Sequence, residues 1–121
     1  MKQFDHAKLT VYQHSIKFVV WVTDLLDTVP KSIAVHDQLD RASTSVPLNI
    51  AEGNGKSTPK DRCKFFDTAR GSALECDACL DVQLAKKKIN SETAENGKAL
   101  LIEIVSMLIG LIRSNSPDRK I

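Results

Sequence analysis

The segment 41–53 most constrains the fold, because it reads as a helix with a proline inside it and a glycine at its end, RASTSVPLNIAEG. Pro47 removes one backbone hydrogen bond and clashes with the preceding turn, at about 3 kcal/mol, so neighbouring packing has to hold the kink. One face carries mostly small side chains: Leu39, Ala42, Ser43, Val46, Ile50 and Ala51. This pattern predicts a helix packed closely against another helix inside a bundle.

Three further helices are predicted around this one. The first repeats apolar residues at spacings of three and four and ends before Pro30; its predicted seam is Leu9, Tyr12, Ile16, Val19, Thr23 and Leu26. The proline-containing helix is expected to start near Asp37 and to stop at Gly53 or Gly55, where glycine would take the left-handed conformation.

Capping residues mark the last two helices. Thr58 followed by Pro59 reads as an N-cap and a first helical position, and the helix can run about 28 residues to the lysines at 86–88. Asn90 and Ser91 offer the next cap, and the fourth helix is expected to run through Ile112. The short connections predict an all-α, antiparallel up-down-up-down four-helix bundle. We expect a single domain, 1–121, with an ordered core at 9–113 and a frayed tail at 114–121.

The first and fourth helices carry more apolar surface than one core requires. Between residues 100 and 112 the apolar side chains sweep an arc of roughly 220 degrees, and only Glu103, Ser106 and Gly110 lie opposite. A monomer would expose an apolar patch of a size that soluble monomers avoid. The pattern therefore predicts a homo-oligomer assembled through these helices; a long partner helix or the N-terminal arm covering this surface is the alternative.

The pentapeptides NIAEG at 49–53 and GSALE at 71–75, together with the proline-containing helix, resemble the 23S rRNA intervening-sequence family of four-helix-bundle proteins. The resemblance runs roughly from Leu9 to Arg113. It implies a small bacterial protein, a closed ring with five subunits, and a relation to proteins encoded inside ribosomal RNA insertions or to retroelement accessory proteins. The residues at the family's recurrent motif positions are Arg41, Pro47, Asn49, Glu52, Gly53, Ser72 and Glu75. The resemblance implies no catalytic role for them.

Within this motif two interpretations differ. Glu52 and Glu75 belong to neighbouring helices and could form a paired-carboxylate site. The structural interpretation is favoured, in which Asn49 or Ser72 hydrogen-bonds the backbone freed by Pro47. In that interpretation Arg41 pairs with Glu75.

Catalytic and metal chemistry have little support in the sequence. The histidines, His6, His14 and His36, form no metal-binding pair, and none follows an arginine in the way that one class of helical ribonucleases requires. Cys76 and Cys79 form a Cys-x-x-Cys pair, but they lie in mid-helix, so core cysteines are favoured over a redox pair. We therefore predict no enzymatic activity, no metal and no cofactor.

Basic residues concentrate near the start of the third helix, although the net charge of the chain is only +2. The candidate nucleic-acid-binding residues are Lys56, Lys60, Arg62 and Lys64. Repeated around a ring they could form a basic rim for phosphates of RNA or DNA, without reading the sequence. An ordinary solvated helix face is the competing interpretation.

The predicted function is a non-enzymatic, homo-oligomeric accessory protein associated with nucleic acid. The alternative is a scaffold that binds another protein through its outer helices. The chain has no membrane-length apolar run and no signal-peptide pattern, so a cytoplasmic location is expected. The odd number of cysteines is consistent with a reducing compartment.

Overall fold

The computed structural model describes residues 2–121, so Met1 of the predicted domain lies outside the described residues. A short 3₁₀ turn, Asp5–Lys8, precedes four α-helices, and no strand occurs in the described part of the chain. The helices are α1 Thr10–Leu26, α2 Ala34–Asn54, α3 Pro59–Ala85 and α4 Ser91–Asn115. The predicted all-α fold with four helices is confirmed.

The predicted caps of α3 and α4 are present. The Thr58 hydroxyl accepts a hydrogen bond from the Asp61 backbone N–H at 3.2 Å, and Pro59 is the first residue of α3. The Asn90 side chain accepts from the Thr93 N–H at 2.8 Å. Each cap satisfies a backbone donor that has no partner within its helix. The start of α2 lies three residues before the predicted one and has no side-chain cap, which explains why the sequence marked it poorly.

Each helix packs against the next in the chain, and α1 also packs against α4. The α2–α3 contact is the most extensive, in agreement with the small side chains predicted there. Three hydrogen-bonded pairs join α2 to α3: Gln38 with Glu75, Ser45 with Ser72, and Asn54 with Arg62. The residue numbers rise along α2 while those of the partners fall along α3, so these two helices run antiparallel. The core between the four helices contains side chains with no exposed surface from every helix, among them Phe18, Leu39, Phe66 and Leu108.

The buried face of α1 differs from the predicted seam. The residues of α1 that face the core are Val11, Ser15, Phe18, Val22, Leu25 and Leu26. Of the predicted seam only Leu26 is buried, whereas Ile16 and Thr23 are exposed. Two apolar stripes run along this helix, and packing against the neighbouring helices buries the one with Phe18. The Ser15 hydroxyl on this face donates to the Tyr12 carbonyl at 2.6 Å and so needs no water.

The glycines at the end of α2 do not adopt the left-handed conformation that the sequence suggested. Gly55 follows α2 with φ −82°, and no glycine of residues 2–121 has positive φ. Gly53 is instead a contact residue within the helix. A Cβ added there would lie 2.8 Å from the Phe66 ring and 3.0 Å from the Arg62 carbonyl oxygen. Close packing of α2 on α3, rather than backbone conformation, requires this glycine.

The C-terminal segment is tied to the bundle, whereas the sequence predicted a frayed tail at 114–121. Helix α4 continues to Asn115, and the Arg119 guanidinium lies 2.8 Å from the Asp67 carboxylate of α3. The partly buried Ile121 packs against the core. This arrangement places Arg119 beside the start of α3.

Candidate functional site

A groove of about 730 Å³ opens between the start of α3 and the end of α4. Its lining contains three cations, Lys60, Lys64 and Arg119, and two carboxylates, Asp61 and Asp67. The α3 N-terminus adds the positive end of a helix dipole. Asp67 is paired with Arg119, and the hydrogen bond between them raises the pKa of Arg119. Lys60 and Lys64 are exposed and form no ion pair with a described residue.

Arg62, the third predicted phosphate-binding residue, joins three segments of the chain. Its Nε donates to the Asn115 side chain at 3.0 Å, and its Nη1 donates to the carbonyls of Asn54 at 2.8 Å and Lys56 at 3.3 Å. The guanidinium also lies 5.7 Å from the centre of the Phe66 ring. These contacts hold the α2–α3 connection against the end of α4, so the side chain is already engaged within the protein.

Lys56 faces a different part of the surface from Lys60 and Lys64. Its ammonium lies 3.7 Å from Glu52 and 5.2 Å from the centre of the Phe65 ring. It lines a second groove, which contains His6 and the end of α2. Only two of the predicted basic residues therefore line the same groove, and the third cation there, Arg119, came from a segment that the sequence predicted as frayed.

The recurrent motif forms a polar network between α2 and α3. The Asn49 amide donates to the Ser45 carbonyl and to the Ser45 hydroxyl, both at 2.9 Å. The Ser45 and Ser72 hydroxyls lie 2.8 Å apart across the helix contact. The expectation that Asn49 binds a backbone group near Pro47 is met at Ser45, whereas the carbonyl that Pro47 leaves without its i+4 donor is that of Ser43. Ser45, which sequence reasoning missed, is the centre of the network.

The charged members of the motif do not come together. Glu75 accepts a hydrogen bond from Gln38 at 3.3 Å, and the predicted ion pair between Arg41 and Glu75 is not among the ion pairs of the described residues. Glu52 contacts Lys56 instead, about four helical turns away from Glu75 along the bundle. The paired-carboxylate arrangement therefore does not form, because the two side chains lie beside different parts of the α2–α3 contact.

The Cys76 and Cys79 pair of α3 is buried, and burial disfavours the reactive thiolate form of both residues. Cys76 has no exposed surface, and Cys79 is 4% exposed. Burial, together with the neighbouring Cys79 and Glu75, raises the pKa of the Cys76 thiol to about 12. Burial and Glu75 likewise raise the pKa of Cys79. Because the thiolate is the reactive form, these shifts agree with the interpretation of both residues as core side chains.

Apolar side chains are exposed at several places on the bundle. Between α3 and α4, a groove of about 350 Å³ is lined by Leu74, 51% exposed, and Ile102, 66% exposed. Outside this groove, Val20 of α1 is 57% exposed and Leu48 of α2 is 61% exposed. Exposed apolar side chains therefore occur on α1 and α4, and also on α2 and α3.

Residues 2–121 contain neither a grouped set of metal ligands nor a helix that could span a membrane. No three His, Cys, Asp or Glu side chains are grouped closely enough to hold a metal ion. No helix of this range combines the length and the apolar character needed to cross a bilayer.

Comparison with known proteins gives the family. The model of the 23S rRNA-intervening sequence protein family matches residues 7–110. A crystal structure at 1.70 Å of a protein of unknown function from the S23 ribosomal protein family of Bacteroides thetaiotaomicron VPI-5482 is similar, with a TM-score of 0.81 and 24% identity. The alignment covers 86% of this chain and 99% of that one, and at this identity it supports the fold. No curated protein gives a significant match. Since the family model spans most of the chain, the protein belongs to the 23S rRNA-intervening sequence protein family.

Proposed function

We propose that the protein is a non-enzymatic homo-oligomer that associates with the phosphate backbone of nucleic acid. The observation that carries this proposal is the groove at the start of α3, where Lys60 and Lys64 are exposed and form no ion pair with another described residue. A helix N-terminus flanked by unpaired cations favours an anionic ligand. The groove offers no aromatic side chain for base stacking, so contacts there would be independent of sequence.

Assembly would multiply this weak site. One subunit contributes few phosphate contacts, whereas several copies on one particle raise the apparent affinity through effective concentration. The exposed apolar side chains support assembly, because each of the four helices carries at least one of them. Two different faces that meet head to tail close a ring when the rotation between subunits closes the circle, whereas a two-fold dimer uses one face twice. A pentameric ring of up-down-up-down bundles in the cytoplasm is our specific proposal; five is the number that the family resemblance implies.

The nucleic-acid proposal is tested by removing charge from one end of α3 at a time. In the variant Lys60→Gln/Lys64→Gln, binding to RNA and to duplex DNA should weaken for every sequence tested. The slope of log affinity against log salt should flatten by about 1.4 to 1.8 for each subunit bound, because the two lost phosphate contacts no longer release counterions.

The matched control is Lys86→Gln/Lys88→Gln, which removes the same charge from the other end of α3. It should leave both the affinity and the salt slope nearly unchanged. Equal losses in the two variants would show that binding follows total charge alone, and the groove would then lose its assigned role. Anisotropy titrations across a salt series, with the particle mass checked by light scattering, provide the measurement.

The apolar groove favours a second candidate function. Its lining is mostly apolar, with one ion-paired lysine, Lys98, which contacts Asp77 and Asp81 at 2.7 Å each. Burial lowers the pKa of Lys98, but the hydrogen bonds to the two carboxylates outweigh burial and raise it. Such a surface suits a helix of another protein, as a scaffold requires. A particle that stays oligomeric and binds no nucleic acid at low salt would favour this scaffold.

A further inference from the structure

An exposed aromatic ring lies immediately before the N-terminal 3₁₀ turn. Phe4, immediately before the turn, is 81% exposed, the largest exposed fraction among the large apolar side chains that the structure describes. Its ring is parallel to that of His6, with an angle of 4° and 6.1 Å between centroids. His6 in turn meets the Tyr12 ring edge-on at 4.8 Å. Three rings thus form a continuous cluster, and the outer face of Phe4 is open.

This cluster is held in place by polar contacts rather than by burial. No residue of the turn is buried. The Asn54 amide of α2 donates to the Asp5 carboxylate at 2.9 Å, and the Gln13 amide of α1 donates to the Ala7 carbonyl at 3.0 Å. The turn is therefore fixed to two helices, and Phe4 precedes it with its ring exposed and parallel to that of His6. A flat ligand that binds beside a fixed backbone orders fewer groups, which lowers the entropic cost of binding.

Cations lie beside the ring cluster. His6 shares a groove of about 460 Å³ with Lys56 and Glu52 of α2, and Lys56 also lies against the Phe65 ring. Lys8, in the turn itself, is exposed. Proteins that bind single strands combine aromatic faces, on which bases stack, with cations that follow the backbone. Duplex nucleic acid does not offer its base faces to such a platform, since they are stacked inside the helix.

We propose that Phe4 and His6 form a stacking platform for unpaired bases of a single-stranded nucleic acid, with Lys8 and Lys56 beside its phosphates. The inference rests on the proposed association with nucleic acid and adds a second contact, chemically distinct from the groove with Lys60 and Lys64. RNA and single-stranded DNA share the chemistry concerned, an unpaired base next to a phosphate. Binding at the platform depends on the presence of unpaired bases, whereas binding at the basic groove depends on charge alone.

The test uses the 121-residue chain and four probes of equal length: oligouridylate, oligothymidylate, an abasic strand and a duplex. The variant Phe4→Leu keeps apolar area but removes the aromatic face. Its affinity for the two base-bearing strands should fall by about 5- to 140-fold, the range for losing the stack of one base. Affinity for the abasic strand and for the duplex should stay unchanged, and so should the salt slope, because no charge is removed.

Two control variants sharpen the result. Phe4→Trp should retain or tighten binding to the base-bearing strands, and Val82→Ala, which shortens an exposed apolar side chain of α3 outside the cluster, should change nothing. Equal affinities of wild type and Phe4→Leu for oligouridylate and oligothymidylate would overturn the inference while leaving the basic groove intact. So would a loss that extends to the abasic strand, or a change in particle mass, which would place Phe4 at a contact between subunits or with another protein. If the wild type binds none of the four probes, the proposed function fails and the platform with it.

Discussion

At the scale of single residues, the contact between α2 and α3 depends on the missing side chain of Gly53. Replacing Gly53 by alanine forces either the Phe66 ring or the Arg62 backbone to move, since the added Cβ meets both within 3.0 Å. Overpacking of this kind costs about 1 to 3 kcal/mol. We expect Gly53→Ala to lower the free energy of unfolding by that amount in urea denaturation.

The control for this prediction is Gly71→Ala. Gly71 lies in α3, and a Cβ there would meet nothing within 4 Å. Alanine is favoured over glycine in a helix by about 0.5 to 1 kcal/mol, so this variant should gain stability. If both variants gained stability, the close contact at Gly53 would not be limiting.

A second residue-scale feature is a buried polar side chain, Gln83. It has no exposed surface, and neither its amide nitrogen nor its amide oxygen has a hydrogen-bond partner among residues 2–121. Burying an unsatisfied polar group costs about 1 to 3 kcal/mol, so methionine, of similar length and without those groups, should stabilise the fold. Gln83→Met is expected to raise the urea midpoint while the m-value stays constant. A lower midpoint would show that the amide is satisfied in solution.

At the scale of the element, α3 buries three thiols, and burial raises the pKa of two of them, Cys76 and Cys79. Because folding raises the pKa of Cys76 from 9.0 to about 12, the unfolded chain loses its proton at a lower pH than the native one. The native state then binds more protons between about pH 9 and pH 12. Stability is therefore complete below about pH 9 and falls as the pH rises through this window.

The corresponding measurement is the free energy of unfolding between pH 8 and pH 11. Wild type should lose stability over this range more steeply than Cys76→Ala, which has no thiol to ionise at that position. Parallel curves for the two proteins would contradict the assignment of the alkaline loss to Cys76. Cys79, whose pKa is also raised by burial, should account for a further part of the slope in both proteins.

At the scale of the whole molecule, the exposed apolar faces predict the response of the proposed assembly to charge. Ile102 is 66% exposed and Ile109 is half-buried, and both lie on α4. Aspartate at both positions would place unpaired charge in an interface between subunits, where desolvation is costly. Ile102→Asp/Ile109→Asp should therefore reduce the particle mass measured by light scattering to that of one chain.

The same charge placed elsewhere provides the comparison. Thr68→Asp alters an exposed position of α3 that does not line the apolar groove between α3 and α4. This variant should leave the mass of the particle unchanged. A wild-type protein that is monomeric at micromolar concentration would refute the proposed ring directly. Its exposed apolar faces would then be surfaces for other proteins.

The sequence by itself determined the four helices, the caps of α3 and α4, and the tight contact of α2. These features depend on local chemistry: Thr58 and Asn90 bond to backbone groups three residues away, and small side chains allow close approach wherever they occur. The excess of apolar residues on α1 and α4 was also predictable from the sequence, because the arc that apolar residues cover depends only on helical geometry.

Only the tertiary structure decided which apolar stripe of α1 faces the core and which residues share a groove. Ile16 and Phe18 both belong to apolar stripes, and the packing of neighbouring helices selects Phe18 for burial. Arg119 lies far from Asp67 in the chain, so no local pattern could place it beside the start of α3. Lys56 likewise turns from Lys60 toward His6, because Glu52 and the Phe65 ring hold its ammonium. Periodicity specifies that a face is apolar, whereas the choice among faces and partners is made by contacts between residues distant in sequence.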